Sequence, residues 1–224
     1  MEIAARVGAA AVICYSLSWP GEWTQSGSWT QSPLFAMRWA THGGIISELT
    51  LDYLAEIFGY VCEKAEAHGV DVVLSMRPFH YVSCARNFRA LAERVGSPRL
   101  KVQWSPGDCC LSNEKDMAAG FADLRPYLHG LHLKDVTTGA GPIGDREWGH
   151  TWCPLGQGEV GYQELFRLLQ SEHVGDLFLG VATHFRDETL PEEEQGTAAM
   201  TLNFSQLRGI MAALPSPDSS EGRQ

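Results

Sequence analysis

His132, Lys134 and Asp135 stand in one short segment, His132-Leu133-Lys134-Asp135, at the end of an apolar, strand-like run. Side chains alternate along a strand, so His132 and Lys134 share a face and Asp135 turns away. An imidazole and an ammonium on one face can move a proton or polarise a carbonyl without a metal, which makes His132 and Lys134 the candidate catalytic residues. Lys134 could equally pair with a neighbouring acid, and Asp135 suits a capping role in the loop that follows. Other strand ends add candidates for substrate binding. Ser75 and Arg77 share a face, and Arg77 could bind an anionic group such as phosphate or carboxylate. Ala182 and His184 share another. Ser105 is followed three residues on by Asp108, and His80 lies beyond the second strand. Asp108, His132 and His184 could form a facial set of metal ligands; the plainer alternative is that they line a sugar pocket. Glu159 reads as ordering the loop before a helix at Tyr162.

The elements that must position these residues alternate between short apolar runs and longer helical patterns. Strands are expected at Ala9 to Tyr15, Val70 to Met76, Leu100 to Trp104, His129 to Val136 and Asp176 to Val181. Helices are expected at Glu2 to Val7, Leu49 to His68, Ala85 to Val95, Asn113 to Leu128, Tyr162 to Gln170 and Ala198 to Leu214. Leu51, Leu54, Ile57, Phe58, Val61 and Ala65 recur at helical spacing, and Gly69 follows as a C-terminal stop. Nearly continuous apolar strands joined by helices imply a parallel sheet covered by helices. No G-x-G-x-x-G follows a strand, so a dinucleotide fold has no support. In the remaining parallel architectures ligands bind at the C-terminal strand ends, where the candidates lie.

Composition narrows the partners. The chain has 224 residues, 44% hydrophobic and 20% charged, with a net charge of -10. That charge argues against nucleic acid, because neutralising phosphates needs clustered lysine and arginine. No apolar run is long enough to span a bilayer, and the first residues lack the pattern of a secretory signal, so a cytoplasmic location is the expectation. The six cysteines show no C-x-x-C spacing and read as free thiols, including adjacent Cys109 and Cys110. Two regions stand apart. Ser16 to Ser47 carries Trp19, Trp23, Trp29 and Trp39 and a repeated Trp-Thr-Gln-Ser, suggesting a lid, a partner surface or a simple duplication. The tail from Pro215 is expected to be disordered, leaving residues 1–214 as one domain.

His132-Leu133-Lys134-Asp135 followed by Pro154-Leu155-Gly156-Gln157-Gly158-Glu159-Val160 and a helix resembles the sugar phosphate isomerase/epimerase group of xylose isomerase-like TIM barrels. Val70 to Met76, Lys101 to Gly107 and Leu177 to His184 follow in the same order. The resemblance implies a (β/α) barrel whose strands present Glu, Asp, His and Glu to a divalent cation such as Mn, Mg, Co or Zn, with the glutamates moving protons through an enediol-like intermediate. At the matching positions this chain has Ser75, Ser105, His132 and Ala182. Three of the four implied ligands are therefore missing, and the expectation is no metal cofactor.

A full barrel of this type has eight strands, whereas five are legible here, so an incomplete α/β TIM-type barrel is expected. Its uncovered strands would favour a homo- or hetero-oligomer. The leading expectation is a diverged isomerase- or epimerase-like protein binding a small polyhydroxylated, sugar-like ligand, with metal-independent chemistry or none. An active metal enzyme using Asp108, His132 and His184 is one alternative. A non-catalytic subunit or interaction protein is the other.

Overall fold

A computed structural model describes residues 1–17, 46–77, 80–138 and 150–215. Most of the Trp-rich stretch and the end of the C-terminal tail lie outside the described residues. A short helix α1 (Glu2–Arg6) leads into β1 (Ala11–Cys14), and α2 (Glu48–Glu66) precedes β2 (Asp71–Ser75). Then come α3 (Ala85–Val95), β3 (Leu100–Trp104), α4 (Pro106–Leu111) and α5 (Met117–Leu124). A 3-10 turn at Arg125–Tyr127 enters β4 (Leu128–Leu133), and β5 (Asp135–Thr138) and β6 (His150–Cys153) follow. The chain closes with α6 (Tyr162–Ser171), β7 (Phe178–Val181) and α7 (Glu192–Ala212).

Five strands form one parallel sheet in the order β1-β2-β3-β4-β7. This is a half-barrel sheet with helices packed on it, the incomplete α/β barrel that the alternation predicts. Alternation divides the sheet into two faces. Val72, Leu74, Leu100, Val102, Trp104, Leu131 and Leu133 enter the hydrophobic core, and Leu54, Phe58, Phe88, Leu91, Phe121 and Leu165 meet them from the helices. Ser75, Gln103 and His132 alternate with these residues and belong to the other face. At the two edges of the sheet, Ile13 and Phe178 are 49% and 55% exposed.

Local signals set most helix ends. Ser47 Oγ accepts from the Thr50 N–H to start α2, and Gly96, at φ 64°, ends α3 in the left-handed conformation. The helix expected from Asn113 to Leu128 is shorter in the structure. Asn113 takes φ 61°, outside the helical region, and Asp116 caps α5 by accepting from the Ala119 N–H at 2.9 Å. α7 begins at Glu192 rather than Ala198, its first turn carrying Glu192, Glu193 and Glu194, which favour a helix N-terminus.

The expected strand from His129 to Val136 is interrupted at Lys134. The Tyr162 hydroxyl accepts from the Lys134 N–H at 3.0 Å and donates to the Lys134 carbonyl at 2.7 Å. With both backbone groups of Lys134 taken by a side chain, the parallel ladder stops at Leu133. The chain then turns into β5, which pairs antiparallel with β6.

Candidate functional site at the strand ends

Four of the predicted residues converge beyond the ends of β2, β3 and β4. Arg77 follows β2, His132 lies in β4, Lys134 sits just after it, and Asp108 is delivered by α4. Gly107 makes that delivery possible, because a Cβ there would collide with the Lys134 carbonyl. Asp108 Oδ1 meets Lys134 Nζ at 2.7 Å, and Oδ2 meets Arg77 Nη1 at 3.0 Å and the Ser105 hydroxyl at 2.8 Å. Lys134 thus takes the acid-paired role, with its side chain 3% exposed and that of Asp108 2%. Burial alone would raise the Asp108 carboxyl, but Lys134 and Arg77 outweigh it and hold Asp108 below the usual carboxylate range. Burial lowers the Lys134 ammonium to about 8, with Asp108 opposing the shift and Arg77 adding to it.

Arg77 Nη1 also stands 3.0 Å from His132 Nδ1. A guanidinium has only donors, so Nδ1 accepts and the neutral ring carries its proton on Nε2. Burial, then Lys134 and Arg77, lower His132 to about 3. Burial likewise lowers His80 to about 4, helped by Arg77, and His184 to about 4, helped by Lys134. The face therefore presents neutral imidazoles beside a buried charge cluster at neutral pH.

Aromatic rings stand on two sides of the cluster. The Arg77 guanidinium lies 5.2 Å from the Tyr15 ring centroid, and Lys134 Nζ lies 4.7 Å from that of Trp152. The His184 ring packs against Trp152 at 5.0 Å. Tyr15 is exposed, whereas Arg77, His132, Trp152 and His184 are partly exposed, so a ligand can meet this layer directly. Ser75 and Ser105 lie deeper. Ser75 donates to Gln103 Oε1 at 2.9 Å and Ser105 to Asp108, and both are fully buried.

Tyr15, Gln103, Trp152 and Tyr162 were not among the sequence candidates. Gln103 shares the strand face of Ser105, so alternation could have found it. Trp152 and Tyr162 are brought in by β6 and α6 and left no local signal.

Asp135 sits on the opposite side of the strand end and holds the following loop. Its Oδ1 accepts from the N–H groups of Val136 and Val160 at 2.8 and 3.1 Å, and Oδ2 from those of Gly156 and Gly158 at 2.8 and 3.0 Å. Gly158 has no room for a Cβ against that carboxylate. Glu159 pins the same loop to β5, accepting from Thr138 and pairing with Lys115. These are the capping and loop-ordering roles expected for Asp135 and Glu159.

The thiols are all free. Burial raises Cys14 and Cys84 to about 11 and Cys110 to about 12, and it raises Cys109 further, so these four remain protonated at neutral pH.

A parallel α/β sheet with ionisable groups gathered at its C-terminal strand ends is the arrangement of a (β/α) barrel. The chain belongs to the xylose isomerase-like TIM barrel family, whose pattern it matches over residues 1–201. No curated protein matches it. Among solved structures, a xylose isomerase domain protein from Planctomyces limnophilus superposes with a TM-score of 0.60 at 17% identity, covering 95% of this chain and 64% of that one. A xylose isomerase-like TIM barrel protein from Mycobacterium smegmatis, in complex with magnesium, gives 0.62 at 16% identity, covering 96% and 65%. The 3-keto-D-glucoside 4-epimerase of E. coli gives 0.59 at 14% identity, covering 95% and 67%. The chain thus spans less than two thirds of the first two proteins, and these likenesses concern the fold.

The divalent metal implied by the resemblance does not fit the residues present. Ser75 is a neutral hydroxyl already bonded to Gln103, and Ala182 offers no donor. Both Asp108 oxygens are bonded to cations, and His132 Nδ1 faces one of them. Among the described residues no group of three His, Cys, Asp or Glu side chains could hold a metal ion. Among the same residues no helix is long and apolar enough to cross a membrane.

Proposed function

We propose that this strand-end face binds a small polyhydroxylated, sugar-like molecule and that its chemistry runs through His132 without a divalent metal. One observation carries the reading: Arg77 Nη1 stands 3.0 Å from both Asp108 Oδ2 and His132 Nδ1. The Arg77 guanidinium thus contacts both side chains directly, and these are two of the three that a relocated metal set would have needed. The chemistry served is isomerisation or epimerisation beside a carbonyl. His132 Nε2–H hydrogen-bonds to that carbonyl oxygen and polarises it while keeping its own proton. Lys134 acts from behind the face, binding Asp108 and adding to the burial that keeps His132 neutral. Arg77 is the positioning residue that sets the tautomer.

The test is metal content together with mutagenesis. Protein purified without chelator is expected to hold divalent metal far below one ion per chain, and a near-stoichiometric ion lost in Asp108→Asn would overturn the metal-free reading. If His132→Gln leaves turnover of a ketose such as D-fructose unchanged, the assigned role of His132 fails.

A second reading, association through the uncovered face, has its own observation. Ile13, Tyr15 and Phe178 are about half exposed at the two sheet edges, and exposed apolar edges favour pairing with another polypeptide. Light scattering across a concentration series checks this, and a stable monodisperse monomer would overturn it.

A further inference from the structure

We infer that the ligand of this face carries an oxyanion, a carboxylate or phosphate, gripped by the free edge of the Arg77 guanidinium. The inference rests on the reading of the face as a small-molecule site and names the class of molecule it takes.

The two sides of the Arg77 fork are used unequally. Nη1 is crowded: it meets Asp108 Oδ2 at 3.0 Å, the Met76 carbonyl at 3.3 Å and His132 Nδ1 at 3.0 Å. Among the described residues, Nη2 has only the Tyr15 hydroxyl, at 3.5 Å, and Nε has no hydrogen-bond partner. Nε and Nη2 are the parallel donor pair that fits the two oxygens of a carboxylate or phosphate. The side chain is 19% exposed, so the guanidinium is held in place while part of it meets solvent. Tyr15 packs against the guanidinium at 5.2 Å, which fixes the plane in which an anion would lie.

Charge bookkeeping points the same way. Among the described residues of the cluster, Arg77 and Lys134 contribute two positive charges and Asp108 one negative, leaving +1. His80, His132 and His184 are neutral around it, and Ser75, Gln103 and Ser105 add no charge. A half-buried cation in excess is costly until an anion offsets it. The chain as a whole carries -10, so this unbalanced positive spot is local. An acidic sugar or sugar phosphate meets it better than a neutral polyol does.

Matched probes test this by calorimetry: D-gluconate against D-sorbitol, and D-fructose 6-phosphate against D-fructose. Acetate and inorganic phosphate are added alone while the Arg77 Nε–H resonance is followed by NMR. The charged member of at least one pair should bind at least about tenfold more tightly, the scale of one charge-assisted hydrogen bond, and only charged probes should move the resonance. Arg77→Lys keeps the charge but not the fork, and it should lose most of that advantage.

Equal affinity within both pairs overturns the inference while leaving the sugar reading intact. An undiminished preference in Arg77→Lys overturns it too. Acetate or phosphate moving the resonance while no sugar binds upholds the oxyanion site and removes the sugar reading. Binding by none of the probes overturns both. Which charged pair shows the larger gap identifies the anion as carboxylate or phosphate.

Discussion

Asp108 and Asp135 are both buried carboxylates near the end of β4, yet they are held by different kinds of partner. Asp135 accepts from four backbone N–H groups and so ties a loop to the sheet. Asp108 is held by the side chains of Lys134, Arg77 and Ser105. Burial pushes Asp135 up while the four N–H groups pull it back; at Asp108 two cations outweigh burial altogether. A carboxylate held by backbone makes scaffold. One held by ionisable side chains couples its charge to its neighbours, and only that kind can tune a site.

The sharpest way to break this contrast is to remove each carboxylate's partners in turn. Asp135→Ala should have the largest effect on stability, about 4 kcal/mol, because several buried N–H groups lose their acceptor at once. Urea unfolding checks this, and a loss below about 1 kcal/mol would show that water replaces the carboxylate.

Lys134→Met comes next, at about 3 kcal/mol, since it leaves Asp108 buried with one cation fewer. Adding Asp108→Leu should recover much of that loss, which no substitution around Asp135 should do. The same Lys134→Met should raise the His132 pKa, because the Lys134 charge is one of the forces holding it down. Imidazole NMR shifts read that directly, and an unmoved His132 would sever the proposed coupling.

Acid should then act on the cluster before it acts on the loop. His80 and His184 titrate at about 4 and His132 at about 3 when folded, against 6.5 for an unperturbed imidazole. The unfolded chain takes up these protons first. Their contribution is therefore fully present above pH 6.5 and is lost as pH falls from 6.5 toward 4 and then 3. Asp108, depressed from 3.8, adds its own loss only below that value. The urea midpoint should decline through this range, and less steeply in the His132→Gln, His184→Gln double variant. A midpoint flat from pH 7 to pH 4 would contradict the neutral-imidazole arrangement.

Glu159→Gln should have the smallest effect, about 0.5 to 1 kcal/mol, because its partner Lys115 is near solvent. A larger loss would mean that the loop depends on Glu159 as much as on Asp135.

Much of the scaffold was legible because it is local. Apolar runs located the five parallel strands, and spacing located α2, α3 and α6, where each buried side chain recurs every three or four positions. The roles of Asp135 and Glu159 were also readable, since their partners lie in the loop and strand beside them. α4 was not legible. Pro106–Leu111 is six residues containing proline, glycine and two cysteines, too short and irregular to show a period. The β5–β6 hairpin was hidden as well, because its strands flank a Gly-rich stretch and pair only four residues each.

The sequence by itself determined which residues end the strands and which face each one takes, because both follow from a two-residue repeat. That serine and alanine stand where acidic metal ligands would be is what the resemblance to the family implies. Only the tertiary structure decided that Arg77 stands between Asp108 and His132. These contacts join positions 31 and 55 residues apart in the chain, and no local pattern specifies them. They arise because a parallel sheet aligns strand ends that the chain reaches at very different times, and because α4 turns Asp108 back over Lys134.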